Sequence, residues 1–354
     1  MSSTRTSGRY SLVLATLVVA ASAACSPAAV PDVTEAGVDS SIVDGTSEAS
    51  STDTVADVPA PIDVVDVVAP VDAAADVSTP DAAADASPHT PCTLIGMSTP
   101  RTEWDMRLMQ TGPVDARRIF DDLATYSSAV TLARSEIMAG RYPVLSFKLP
   151  GNDWTGAAAG TYDTQLRALA SALAALPGRV FVTIHHEPIG DGTPANYAAM
   201  QRHVLPILSP ADNVDAGVIV NGFWWSAMAQ GYTDAEIAAW LPSDVLALAE
   251  IVAADTYQGG TSASPGEDAG VKIRRMSAWA TRVGVTRLGI GEYNGLTAAA
   301  VSNAGDAILA DPHFVFGCAF NSSVNNAPGV DWTLTGDRLT AFMTTLSHAH
   351  ACTP

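Results

Sequence analysis

The sequence predicts an α/β fold of the (β/α)8 TIM-barrel class, and three observations predict it. Short apolar, β-branched runs alternate with helical patterns through residues 91–354. Eight such runs fall within those 264 residues, the span of one closed barrel rather than an open sheet. Two runs end on a glutamate, Glu187 and Glu292, and barrel strands carry their chemistry at their carboxyl ends. No GxGxxG fingerprint or P-loop occurs, which disfavours a nucleotide-binding open sheet.

The elements follow in order. Residues 94–98 form a short first strand and 103–110 a brief helix. The second strand is 116–120, followed by a helix at 127–139 that Gly140 closes. Residues 143–149 (PVLSFKL) are the third strand. Residues 162–176 are an amphipathic helix with Leu166, Leu169, Leu173 and Leu176 on one face, stopped by Pro177 and Gly178. The fourth strand opens the stretch RVFVTIHHEPIG at residues 179–190. Its run of Val180, Phe181, Val182, Thr183 and Ile184 suits a buried parallel strand, and Pro188 ends the ladder. A helix at 194–208 leads to the fifth strand, 215–223, and then Trp224 and Trp225. The sixth strand is 249–257, with a helix at 266–283. Strand seven lies in TRLGIGEYNG, residues 286–295, with a helix at 297–309. Strand eight is 314–320, and the last helix spans about residues 337–348.

What precedes the barrel has a different composition. Residues 1–24 read as a secretory signal: Arg5 and Arg9, an apolar core from Leu12 to Ala21, then small residues before Cys25. Ser-Ala-Ala-Cys resembles a bacterial lipobox, which implies lipidation of Cys25 and a membrane anchor. Ordinary cleavage near Ala24 leaves the cysteine free or paired instead. Residues 25–90 are rich in Ala, Asp, Val and Pro, with no Lys, Arg, Trp, Phe or Tyr. Such a segment buries too little apolar area to offset chain entropy, so a disordered tether is expected. An exported protein, secreted or held on a membrane, is the expectation.

The tether holds 13 of the 37 acidic residues, so the barrel carries 24 acidic against 16 basic side chains and is only mildly negative. No basic patch of the kind nucleic acid requires is present. Uncharged or weakly charged substrates suit this charge better, and a monomer with no cofactor is expected. Cys92 and Cys352 stand at the two ends of the domain, neighbours in a closed barrel, so a disulfide between them is expected. Cys318 lies in an apolar strand as a small hydrophobe. No cysteine pair has metal-site spacing, and no metal is expected.

Glutamates at the tips of strands four and seven can face each other across a sugar. Glycosidic cleavage with retention needs two carboxyls, one as acid/base and one as nucleophile. Glu187 is assigned as acid/base and Glu292 as nucleophile. His185 and His186 point to opposite faces of a strand, so one is expected in the core and the other on the site. Trp154 either stacks on a sugar or packs its loop. Asp153, Asp191 and Asn221 lie near strand ends, where loop and turn roles compete with substrate contact. Arg118 is expected to ion-pair inside the barrel, with Glu292 as a candidate partner.

IHHEP on strand four, GEYN on strand seven and WLPSD…VAADTY at residues 240–257 resemble glycoside hydrolase family 26, the β-mannanase family of the large (β/α)8 glycosidase clan. The resemblance covers about residues 92–350. It implies that Tyr257 lies near the nucleophile, that His186 lies near substrate, and that Trp224 or Trp225 helps shape a subsite. A tyrosine donating to Glu292 would keep that carboxyl ionised. Asp255, on the same strand face as Tyr257, has a structural role in this reading. The family usually reads Phe-His-Glu-Met-Asn at strand four. This chain departs from that pattern, and mannan, mixed-linkage glucan and β-1,3-xylan stay open as substrates. The expectation is a retaining endo-β-glycanase, with a catalytically silent carbohydrate-binding barrel as the alternative.

Overall fold

In the computed structural model, residues 92–324 and 330–348 are described here. The expected signal segment, tether, Cys25 and Cys352 lie outside them. The strands are β1 (Leu94–Ser98), β2 (Ala116–Asp122), β3 (Tyr142–Lys148), β4 (Val180–Ile184), β5 (Val214–Asn221), β6 (Ile251–Tyr257), β7 (Leu288–Asn294) and β8 (Phe314–Phe320). All pair in parallel and in sequence order, and β1 pairs β8, so the sheet closes. This is the (β/α)8 barrel. Helices at Tyr126–Met138, Asp163–Ala174, Pro194–Leu208, Ala269–Val283, Ala298–Leu309 and Gly336–Leu346 follow the sequence expectation to within a few residues.

Three short helices were not foreseen: Trp154–Ala158, Asp234–Trp240 and Ser243–Leu246. They are too brief to show a 3.6-residue period. The second of them carries a local start signal all the same. Thr233 and Glu236 form a capping box, each satisfying the other's backbone N–H.

Strand parity divides the core in two. Ala116, Val144, Phe181, Ile219, Ile251, Ala253, Phe316 and Cys318 point inward and fill the barrel. Their alternating neighbours, such as Val180, Val182, Val218, Val220, Val252, Leu288 and Ile290, point outward against the helices. Cys318 is a free, buried thiol, and Cys92 is disulfide-bonded. The bottom of the barrel is tied by Asp215, which accepts from Arg179 (2.5 Å), Arg287 (2.7 Å) and Tyr142 (2.7 Å).

Candidate active site

Inward parity at the carboxyl ends delivers most of the site. Ser98, Arg118, Phe120, Ser146, Lys148, Asn221, Asp255, Tyr257 and Phe320 all continue the inward series of their strands. Glu187 shares the inward parity of Phe181, but Glu292 departs from the series of its strand. On β7, Leu288 and Ile290 face outward, so unbroken alternation would send residue 292 outward too. The β6–β7 register slips at this point: Ala254 pairs Ile290, but Asp255 pairs Glu292. Gly291 is the extra residue, and this bulge turns Glu292 into the barrel mouth. A side chain there would be blocked. A Cβ on Gly291 would lie 2.4 Å from both Arg118 Nη1 and Asp255 Oδ1.

On β4 the turn is made by backbone conformation. His185 and Glu187 have φ of 66° and 50°, the left-handed region that non-glycine residues rarely occupy. His185 thereby leaves the barrel interior and packs edge-on against Trp154, with ring centroids 4.7 Å apart. His186 and Glu187 both turn to the cleft. Such strain persists only where surroundings over-determine it. Here His185 N–H donates to Phe147 O (2.8 Å), Glu187 N–H to Ile219 O (3.0 Å) and Lys148 Nζ to His186 O (3.0 Å).

The cleft has a volume of about 380 Å³ and is lined by Phe120, His186, Glu187, Tyr257, Glu292, Phe320 and Trp332. Its two carboxyls sit in different surroundings. Glu292 is buried and receives one donor on each oxygen: Ser98 Oγ on Oε1 at 2.7 Å and the Tyr257 hydroxyl on Oε2. Glu187 has one long bond, from Asn221 Nδ2 at 3.4 Å. Burial, and next the negative charge of Glu292, push the Glu187 carboxyl up to about 7; Arg118, Lys148 and Asn221 oppose them. One carboxyl pushed toward its neutral form and one fixed by two donors therefore face the same cleft. Burial also drives His186 well below the usual imidazole range, helped by Arg118 and Lys148, so its ring is neutral. Its Nδ1 lies 2.8 Å from Ser146 Oγ.

Arg118 does not pair with Glu292. Its fully buried guanidinium lies 3.4 Å from Asp255 Oδ2, beneath the glutamates. Burial, opposed by Arg118 and reinforced by Glu292 and Glu187, raises the Asp255 carboxyl well above the ordinary range.

The tryptophans named from sequence lie elsewhere. Trp154 is buried among His185, Tyr197 and Trp240 rather than in the cleft. Trp224 stacks on Tyr232 at 5.6 Å, and Trp225 packs on Trp279 at 5.3 Å; both are buried behind β5. Position next to a strand end suggested a subsite, but the short turn Gly222–Trp225 folds both rings under the helices. Asn221 bridges Glu187 and the Ile189 N–H, so it positions the carboxyl from behind. Asp153 caps the helix Trp154–Ala158. Asp191 joins Lys148 and His185.

Three aromatic liners went unremarked in the sequence: Phe120, Phe320 and Trp332. Parity could have found the first two, since 116, 118 and 120 share one strand face, as do 316, 318 and 320. Trp332 comes from the long connection after β8, where no period exists to read. Its carbonyl accepts from Asn294 Nδ2 at 2.7 Å, which ties the loop to β7. Its ring lies 4.9 Å from that of Tyr257. Among the described residues, no group of three or more His, Cys, Asp or Glu is placed to hold a metal ion, and no helix is long and apolar enough to cross a membrane.

No family model matches the chain, and no curated protein matches its sequence. Solved structures do resemble it. GH5_18 from Streptomyces cattleya in complex with GlcNAc is 14% identical, with 75% of this chain and 82% of that chain covered and a TM-score of 0.53. A fungal β-1,4-galactanase is 12% identical, with 72% and 99% covered and a TM-score of 0.52. A double mutant of the Cellulomonas fimi endo-β-1,4-mannanase is 14% identical, with 74% and 72% covered and a TM-score of 0.50. What this chain shares with them is the fold.

Proposed function

We propose that this protein is a retaining endo-β-glycanase. The observation that carries the reading is the pairing of Glu187 and Glu292 in one cleft, with Glu187 pushed up to about 7 and Glu292 held by a donor on each oxygen. Glu187 protonates the leaving oxygen while Glu292 attacks the anomeric carbon. Glu187 then takes a proton from a water whose oxygen attacks the anomeric carbon, the bond to Glu292 breaks, and the sugar leaves with retained configuration. Phe120, Phe320 and Trp332 give the cleft apolar walls for sugar faces, and the neutral His186 offers a polar contact. The names of the similar structures, an endo-β-1,4-mannanase and a β-1,4-galactanase, support a β-linked glycan as substrate. Among such glycans β-mannan is favoured by the sequence resemblance to family 26. Export on a lipid anchor at Cys25 belongs to the same proposal and rests on the sequence alone.

The test is reducing-end release by the purified protein on mannan, glucomannan, mixed-linkage glucan, β-1,3-xylan and galactan, with Glu292→Gln beside it. Activity on one polymer that the variant loses is expected. Silence on every polymer from folded protein would favour the carbohydrate-binding barrel, and activity retained by Glu292→Gln would refute the nucleophile. Activity should also decline as pH rises through about 7, because Glu187 must carry its proton to act.

A further inference from the structure

The two left-handed residues that aim Glu187 flank His186, and its carbonyl is held from the neighbouring strand. Lys148, the last residue of β3, donates to His186 O at 3.0 Å. The same ammonium lies 3.1 Å from Asp191 Oδ2. Asp191 can only accept, so its 2.8 Å contact with His185 Nε2 places the proton on that nitrogen, and the longer 3.3 Å approach of Lys148 Nζ to Nε2 is then a contact without a hydrogen bond. Burial and then Lys148 press His185 down to about 4, so the imidazole donates as a neutral ring. Asn152 Nδ2 holds the other oxygen of Asp191 at 3.1 Å. The group thus engages His185 by its side chain and His186 by its carbonyl, while the N–H groups of His185 and Glu187 are spent on β3 and β5.

We propose that Lys148, oriented by Asp191, is a positioning residue for Glu187: its ammonium locks the His186 carbonyl and so fixes the direction in which the Glu187 carboxyl enters the cleft. The inference rests on the reading of Glu187 as proton donor. The ammonium has a second effect through charge. Glu187 is faced by Glu292 from β7, Arg118 from β2, Asn221 from β5, Asp255 and Tyr257 from β6 and Lys148 from β3, with the neutral His186 beside it. Glu292 raises the proton affinity of Glu187, and the two cations and the amide lower it. Removing Lys148 therefore removes both a clamp on the backbone and one of the two cations.

The experiment compares the full-length protein with Lys148→Met, Lys148→Arg and Asp191→Asn. Glutamate labelled with 13C at the side-chain carboxyl reports each titration by NMR, and the Glu187 signal is the one missing from Glu187→Gln. In Lys148→Met the Glu187 midpoint should rise by about one pH unit, a tenfold change in its ionisation constant. Lys148→Arg should return it toward the wild-type value. Aryl glycosides with poor leaving groups should lose about tenfold or more in kcat in Lys148→Met, and those with good leaving groups much less. A Glu187 midpoint that does not move in Lys148→Met overturns the proposal. If Lys148→Met fails to fold, Asp191→Asn carries the test by loosening the ammonium while keeping its charge. Unaltered leaving-group dependence there overturns the proposal as well. If Glu187→Gln itself cleaves normally, the proton-donor reading fails, while the NMR titration still decides whether Lys148 acts on Glu187.

Discussion

Gly291→Ala is the most direct test of how the strand that carries Glu292 is built. The added methyl would meet Arg118 Nη1 and Asp255 Oδ1, each 2.4 Å away. Both side chains are fully buried, and their mutual distance is already 3.4 Å. Neither can swing into solvent, so the strand must shift or the pair must part. Overpacking of this kind costs about 1–3 kcal/mol. Complete loss of a buried ion pair costs about 3–5 kcal/mol. Partial separation of a pair already at its outer contact distance puts the expected cost near 3 kcal/mol, a fall in Tm of roughly 6–12 °C. Gly259→Ala is the control. Its Cβ would meet nothing nearer than 3.6 Å, an ordinary contact, so the Tm should hold or rise slightly. Calorimetry of both variants gives the answer, with glycan cleavage measured alongside. In an Arg118→Met background the Gly291→Ala change should cost less, because one of its two obstacles is smaller and uncharged. A Tm within about 2 °C of wild type, with cleavage intact, would refute the reasoning, for it would mean that the bulge relaxes outward freely.

Other expectations concern the cleft and the barrel floor. Tyr257→Phe removes one of the two donors to Glu292 and should lower kcat about ten- to a hundredfold, from a charged hydrogen bond of about 1.5–3 kcal/mol; an unchanged kcat would show that Ser98 alone suffices. Trp332→Ala strips a wall from the cleft and should raise KM about tenfold with a smaller effect on kcat, which initial-rate kinetics on the active polymer would show. Asp215→Asn should destabilise the barrel by about 2–3 kcal/mol at neutral pH, toward the low end for a buried charge because both arginines are partly in solvent. Burial raises the Asp215 carboxyl, but bonds from Arg287, Arg179 and Tyr142 outweigh it and leave the group below its ordinary range. Its contribution is therefore present above the unfolded value of about 3.9 and lost as pH falls through the lower folded value. The Tm gap between variant and wild type should accordingly close in acid, and a gap that is constant with pH would contradict this.

The eight strands and their order were legible in the sequence because each is a short, β-branched or apolar run and the helices between them are long enough to show a period. The helix at Pro194–Leu208 opens with Thr193 and proline at its first position, signals that need no tertiary context. The two glutamates were legible for the same reason, as the polar residues that end buried runs. The tryptophans were not. Trp154, Trp224 and Trp225 sit next to strand ends in the chain, yet short helical turns carry them under the outer helices. Trp332 reaches the cleft from a connection with no pattern at all.

The sequence by itself determined that a glutamate would stand at the carboxyl end of β4 and of β7. It did not determine that Glu292 would face the barrel mouth, or that His186 would join Glu187 there. Alternation from Leu288 and Ile290 sends residue 292 toward the helices, and it is the extra residue at Gly291, placed by the register between β6 and β7, that turns it inward. Alternation on β4 likewise separates His186 from Glu187, and the left-handed backbone at His185 and Glu187 brings both to one cleft. Parity is a property of a single strand and can be read from its residues. A bulge or a strained turn exists only because neighbouring strands, a lysine from β3 and carbonyls on β3 and β5 hold it, so only the assembled barrel could decide it.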